Sequence, residues 1–383
     1  MKDAIRIMHV ITGLGTGGAE TMLHKLVAGM DRSRFENRVV SMTGKGVLGP
    51  RISEEGIDVM SLDMSPGTPD PKGLWRLWRE MRKRPPQIVQ TWLYHADLLG
   101  LVAAQLARVP NVCWNLRCSY MGEDYYRGMS GLVLRTLARL STRPDAVLVN
   151  SETGRRLHED LGYRPGRWVT IPNGFDLDRF RPDVDARSRV RAELGVRDNC
   201  ILIGLIARLD PVKGHDTFLK AAKLIGKELP HVEFVLVCAD CVPGNSILAE
   251  LVPSEIVDRL HLLGERLDIP DVTAALDIAT CTSIGEGFPN VVGEAMACGV
   301  PCVVSNVGDC ATVVADTERV VPPSSPEALA SAALLLARMD ASERRKLGRA
   351  ARWRINEFYS LDQIIAQYET LYAGLAGREC SVR

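Results

Sequence analysis

The chain has 383 residues, 46% hydrophobic and 25% charged, with a formal net charge of zero. That is the profile of an ordinary soluble globular protein long enough for two domains with separate cores. No run of about 18 or more apolar residues occurs, so no membrane-spanning helix is expected, and mild basicity without a recognised binding module argues against nucleic acid.

The opening residues lack a signal-peptide h-region, which predicts a cytoplasmic protein. Ten cysteines are scattered through the chain. Many lie in apolar strand contexts (Cys113, Cys200, Cys302), as expected of reduced buried thiols. Charge is uneven: residues 1–172 carry 24 Lys and Arg against 17 Asp and Glu, the remainder 23 against 30. A basic half suggests an anionic partner, such as a membrane surface or a phosphorylated acceptor.

Residues 5–11 read as an opening strand, 13–18 as a glycine-rich turn and 19–30 as a helix with Met22, Leu23, Leu26 and Val27 on one face. Further strands are expected over 38–42, 58–62, 87–91, 111–116, 146–150 and 169–171, with helices between them. The turn at Pro172-Asn173-Gly174 and the polar stretch 178–185 read as the interdomain connection. A second alternation follows, with strands over 200–206, 232–238, 261–263, 278–281 and 301–305. Helices are expected over 216–229, 269–275, 289–298, 326–339 and 361–375. This is an α/β chain of two parallel-sheet, Rossmann-like domains, predicted to hold the ligand in the cleft where strand C-termini face each other. The first domain covers 1–172 plus a C-terminal helix over 356–379, and the second 173–355.

The chemistry centres on residues 283–299. Pro289 suits a first helical position, and the Gly287-Phe288-Pro289 turn lets backbone approach a ligand. The amides of Asn290, Val291 and Val292 would bind an anion such as a diphosphate. Glu286 precedes this helix and Glu294 lies within it. Arg208 and Lys213 follow a buried strand and would converge on a leaving diphosphate. His95 follows another strand C-terminus. Gly13-x-Gly15-x-x-Gly18 matches the dinucleotide fingerprint, but no acid stands near Ser41 to take a ribose. Backbone amides forming an anion site at this helix start are therefore preferred over a nicotinamide site or a plain packing turn.

Other features have blander readings. Asp176-x-Asp178 and Asp183-x-Asp185 resemble metal-binding pairs but lie in the interdomain stretch, where capping or solvation suffices. Cys238-x-x-Cys241 lacks a second Cys or His pair at zinc spacing and reads as structural. Trp75, Trp78 and Met81 among Arg76, Arg79, Arg82, Lys83 and Arg84 fit either an interfacial membrane helix or a half-buried surface helix. Arg135, Arg139 and Arg143 form a second such patch.

Together the motifs resemble the retaining GT-B glycosyltransferases of family four, over nearly the whole chain. The specific part is Glu286-x7-Glu294 within Glu-Gly-Phe-Pro-Asn. Residues 207–214, 171–176 and Gly15-Thr16-Gly17-Gly18-Ala19-Glu20 are also typical. The resemblance implies that Glu286 touches donor-sugar hydroxyls and Glu294 the ribose. It implies that Arg208 and Lys213 grip the diphosphate, that Gly15, Gly17 and Gly18 close over it, and that His95 lies near the reacting carbon. Phe288, Asn290, Val291 and Val292 complete the donor set. The final helix, around Tyr368 and Tyr372, would cross back onto the first domain. Trp92–Gly100 and Trp114–Arg117 look most like members that build bacterial surface polysaccharides. The implied reaction moves a sugar from a nucleotide sugar, expected to be a UDP-sugar, to a glycan or polyprenyl-diphosphate-linked acceptor at the inner membrane face. It uses front-face attack and no metal or other cofactor. The rival readings are a non-catalytic nucleotide-sugar-binding partner subunit and an NAD-dependent enzyme.

Overall fold

The computed structural model describes residues 4–65, 70–117, 128–197 and 199–377. Two compact units emerge, Met1–Gly174 with Leu361–Arg383, and Phe175–Ser360.

The first unit is built on strands β1 (Ile5–Ile11), β2 (Phe35–Ser41), β3 (Asp58–Ser61), β4 (Ile88–Trp92), β5 (Asn111–Leu116), β6 (Ala146–Val149) and β7 (Trp168–Thr170). All pair in parallel, in the order β3-β2-β1-β4-β5-β6-β7. Helices α1 (Gly18–Gly29), α2 (Leu48–Glu54), α3 (Pro71–Lys83), α4 (Tyr94–Ala107), α5 (Gly128–Leu140) and α6 (Glu152–Asp160) supply crossovers. Parallel strands covered on both faces are continuous apolar runs, which is why β1 and β4 are legible from their sequence. β2 starts three residues before the expected strand. Its polar residues are paired instead of solvated: Asn37 Oδ1 meets His9 Nε2 at 3.0 Å and Arg38 bridges Asp58 and Glu80.

The second unit opens with α7 (Val184–Leu194), a helix whose first two residues fall within the expected polar connection 178–185. The Asp183 carboxylate caps it, accepting from Ala186 N–H at 2.9 Å. Asp176 closes a local turn by accepting from the amides of Asp178 and Arg179. Capping and turn closure thus account for both aspartate pairs. Then come β8 (Ile201–Ile206), α8 (His215–Glu228), β9 (Val232–Val237), α9 (Ser246–Leu251), β10 (Leu260–Leu262), α10 (Ile269–Ala275) and β11 (Ile278–Cys281). The unit closes with α11 (Asn290–Ala297), β12 (Cys302–Ser305), α12 (Cys310–Val314), β13 (Val320–Val321), α13 (Pro326–Arg338) and α14 (Ala341–Tyr359). The parallel order is β10-β9-β8-β11-β12-β13. In both sheets the first strand of the unit lies beside the fourth, the reversal point at which open α/β sheets bind ligands.

The helix expected over 356–379 is two elements. Residues 356–359 end α14, and α15 (Leu361–Leu375) belongs to the first unit; residues 378 and 379 lie outside the described residues. Ile364, Ile365, Tyr368, Leu371 and Tyr372 of α15 enter the same core as Ile7, Ile11 and Trp92. Tyr368 Oη accepts from Asn115 Nδ2 at 3.1 Å and from Arg117 Nη1 at 3.2 Å, and Tyr372 Oη donates to Gln90 Oε1 at 3.1 Å.

No helix among the described residues is long and apolar enough to cross a membrane. On α3, Met81 is buried and Trp78 packs against the core with Leu77, so neither faces outward as an interfacial helix requires. Trp75 is 52% exposed, with Arg79 stacked on its ring at 5.3 Å. On α5, Val133, Leu134 and Leu137 are likewise buried, and Leu132 is exposed.

Candidate active site

In the second unit, β8 and β11 are neighbours, and the loops at their C-terminal ends are sewn together. Thr282 Oγ1 donates to Lys213 O at 2.8 Å, and Ile284 N–H donates to Val212 O at 2.8 Å. Gly214, at φ +67°, lets these loops touch; a Cβ there would lie 2.1 Å from Thr282 O. Gly308, at φ +54°, backs the loop from the other side, where a Cβ would lie 2.5 Å from Glu286 O. Only glycine tolerates both the left-handed backbone and the approach.

This stitching brings two predicted residues together. Lys213 Nζ donates to Glu286 Oε1 at 2.6 Å, and Ser283 Oγ donates to the same oxygen at 2.7 Å. Both charges are partly buried, 23% and 13% exposed. Among the described residues no donor reaches Glu286 Oε2. Arg208 does not join the pair. Its side chain is 84% exposed, and its ion-pair partner is Asp210 at 3.9 Å.

The helix start differs in detail from expectation. Pro289 is the N-cap, not the first helical residue, and α11 begins at Asn290. Pro289 O therefore accepts from Val292 N–H at 3.2 Å, which removes that amide from the anion-binding set. The Val292 side chain is buried. For Phe288 the structure restricts the role to the backbone. Its ring packs into the core, 6.1 Å from that of Phe175 and 5.6 Å from that of Tyr359, so only its backbone can face a ligand. Asn290, Val291 and Glu294 are half-buried along α11.

In the first unit, the loops after β1 and β4 line a cavity of about 650 Å³, with Thr12, Gly13, Glu20, Leu93 and His95 among its walls. His95 is half-buried on the first turn of α4, and burial lowers its pKa. Leu93, which caps that helix, has φ +73° and ψ 153°. Such strain in a non-glycine residue costs on the order of 1–3 kcal/mol and persists only where the surroundings enforce it. Gly17 and Gly18 are exposed at the start of α1 and Gly15 is half-buried. The Glu20 carboxylate folds back on Gly17, where a Cβ would lie 2.4 Å from Oε2. An anion approaching these amides meets that carboxylate.

Sequence reasoning missed Asp97. It is fully buried, two residues beyond His95 in α4, and Thr91 Oγ1 donates to its Oδ1 at 2.5 Å. Burial drives its pKa well above the ordinary carboxyl value, which favours the protonated form. A carboxyl two residues beyond the histidine, inside an apolar helix, was the available signal. His215 was missed as well; three-dimensional proximity alone joins it to Cys238 and Cys241.

Comparison with known proteins fits this geometry. Residues 16–179 match the family model described as Glycosyltransferase Family 4, and residues 200–339 that described as Glycosyl transferases group 1. Over 244 residues the chain is 31% identical to the UDP-Gal:alpha-D-GlcNAc-diphosphoundecaprenol alpha-1,3-galactosyltransferase of Escherichia coli, covering 62% of each protein. Over 171 residues it is 38% identical to D-inositol 3-phosphate glycosyltransferase 2 of Catenulispora acidiphila, covering 40% of this chain and 38% of that protein. The chain thus spans less than two thirds of the length of either relative. The crystal structure of Anabaena HepE in complex with UDP superposes with a TM-score of 0.84 at 23% identity, covering 97% of this chain and all of HepE. Its fold is that of the GT-B enzymes. With both units matched along most of their lengths, the chain belongs to the group 1, family 4 glycosyltransferases.

Proposed function

We propose that the chain is a retaining glycosyltransferase that moves a sugar from a nucleotide sugar, a UDP-sugar, to a polyprenyl-diphosphate-linked or glycan acceptor in surface-polysaccharide synthesis. The observation that carries this reading is the Lys213–Glu286 pair, held by the joined loops that follow the two central strands of the second unit. The donor nucleotide and acceptor class are supported by relatives: the Escherichia coli protein's name specifies UDP-Gal and a diphosphoundecaprenol-linked sugar, and HepE was crystallised with UDP.

In this reading the second unit takes the donor. The bond from the anomeric carbon to the diphosphate oxygen breaks, and negative charge grows on the leaving group. Lys213, assisted by Arg208 and the amides of Asn290 and Val291, stabilises that charge. These cations make a metal at the diphosphate unnecessary. Glu286 Oε2 accepts from donor-sugar hydroxyls, and Glu294 accepts from the ribose. The acceptor oxygen bonds to the anomeric carbon from the face the diphosphate leaves, and its proton passes to the departing phosphate.

The first unit takes the acceptor. Leu74, Leu98, Leu99 and Val133 in the cavity beside His95 suit its apolar part. Trp75 and Arg79, exposed on α3, would rest on anionic lipid, a contact that vesicle flotation with Arg79→Glu would test. Purified protein with UDP-sugars and a polyprenyl-diphosphate sugar acceptor should yield an elongated lipid-linked product with unchanged anomeric configuration. His95→Ala should retain donor binding and lose transfer. Donor binding without hydrolysis or transfer in the presence of acceptor would leave a binding subunit instead.

A further inference from the structure

Two residues beyond Lys213, the second unit gathers a histidine with two cysteines from the end of β9. Cys238 directly follows β9, and Cys241 closes the turn after it. The Cys241 N–H donates to Cys238 O at 2.9 Å, and its carbonyl accepts from Gly264 N–H at 2.9 Å. His215 is the first residue of α8. One ring nitrogen of His215 and the two Sγ atoms all lie within 4.8 Å of one another. All three residues are buried, and the sulfurs are joined in a disulfide.

The histidine is the unexplained member. It is 3% exposed, yet neither Nδ1 nor Nε2 has a hydrogen-bond partner. The carbonyls of Ala207 and Asp210 influence the ring, but neither meets it with hydrogen-bonding geometry. Buried polar groups are nearly always paired, and an orphaned one calls for a missing partner. One imidazole and two sulfurs form a soft donor set, and three protein ligands leave a fourth position open.

We propose that, once the disulfide is reduced, His215, Cys238 and Cys241 bind one thiophilic divalent cation of the zinc class. A dithiol or trialkylphosphine reductant delivers two electrons, and two protons come from solvent. The S–S bond breaks and two thiols form. The cation then displaces both thiol protons to solvent and is held by two thiolates and the imidazole, with water in the fourth place. The disulfide is the cation-free state, because its sulfurs no longer carry the thiolate charge. The bound cation fastens the start of α8, two residues from Lys213, to the end of β9. Its role is to fix the lysine-bearing turn, and the inference stands apart from the reaction proposed above.

The test uses the full chain, reduced under anaerobic conditions with a trialkylphosphine, desalted and titrated with Co²⁺. The expected result is a near-ultraviolet sulfur-to-cobalt charge-transfer band with visible bands of a tetrahedral site. It saturates at one ion per chain and is abolished by Zn²⁺. Cys238→Ser and Cys241→Ser each lose the band, His215→Gln weakens binding, and Cys310→Ser keeps it. Unreduced protein shows no band. Absence of the band in reduced wild type overturns the proposal, as does a band that survives either serine variant. Should one serine variant fail to fold, the other and His215→Gln still decide the question.

Discussion

Lys213 Nζ lies 2.6 Å from Glu286 Oε1, although 73 residues separate them in the chain. A cation and an anion so placed each keep the other from standing alone in a partly dry site. Lys213→Ala should therefore do two things. It should lower kcat/KM for sugar transfer by about 10²–10³-fold, the usual cost of removing one group that stabilises a leaving charge. It should also leave Glu286 uncompensated, lowering stability modestly. Steady-state kinetics and urea unfolding read the two effects separately. A variant with full activity would remove Lys213 from the proposed mechanism.

Gly214 is where the two loops touch. Alanine there must take a left-handed backbone, which costs about 1–2 kcal/mol, and must push Thr282 O aside. Gly214→Ala should destabilise the protein by about 2 kcal/mol or more and widen the Lys213–Glu286 separation. A urea midpoint equal to wild type would show that the loops are not as tightly joined as described.

Much of this architecture was legible in the chain, and the exceptions share a cause. The buried strands β1, β4, β5, β8 and β11 are runs of apolar residues that no surface segment would carry. The missed parts depend on partners far away in sequence. Residues 35–37 look like a loop until Asn37 finds His9. The α7 helix hides behind Asp183 and Asp185, which read as linker charge but cap and start it. At the candidate site, Lys213 and Glu286 were readable as chemistry, whereas the burial of the Phe288 ring against Phe175, 113 residues away, was not. The trio His215, Cys238 and Cys241 has no sequence period at all.

Asp97 provides a test through its proton. Its folded pKa is raised well above 3.8 by burial, so the native state keeps a proton that the unfolded chain gives up. That contribution to stability is fully present below pH 3.8 and lost as pH rises towards the folded pKa. Asparagine cannot ionise and matches the neutral acid in shape. Asp97→Asn should thus gain on wild type as pH rises, by about 1.4 kcal/mol per unit within that window. Urea unfolding of both proteins at pH 5 and at pH 7 measures the gap; a constant gap would mean that Asp97 carries no native proton.

His158 works with the opposite sign. One ring nitrogen, Nδ1, donates to Gly154 O at 2.6 Å, and Nε2 accepts from Tyr94 Oη at 2.8 Å, so the neutral ring is fully satisfied. Desolvation lowers its pKa from 6.5 to about 4. Between those values the unfolded chain binds the extra proton, and native stability falls as pH falls. His158→Gln should flatten the acid limb by about 1.4 kcal/mol per pH unit relative to wild type. Unfolding midpoints taken from pH 7 down to pH 4.5 would show it, and parallel curves for the two proteins would count against a neutral native ring.

The placement of α15 has a bearing on how the molecule is made. A ribosome delivers the strands of the first unit early, but the helix that carries Ile364, Tyr368 and Tyr372 into its core emerges much later. The second unit, continuous from Phe175 to Ser360, is complete before that. Domains ordinarily fold from the N-terminus onward during synthesis. Here the earlier-made half must wait, with an apolar groove open, until the whole of the other has been translated, and it is the half that chaperones would be expected to guard.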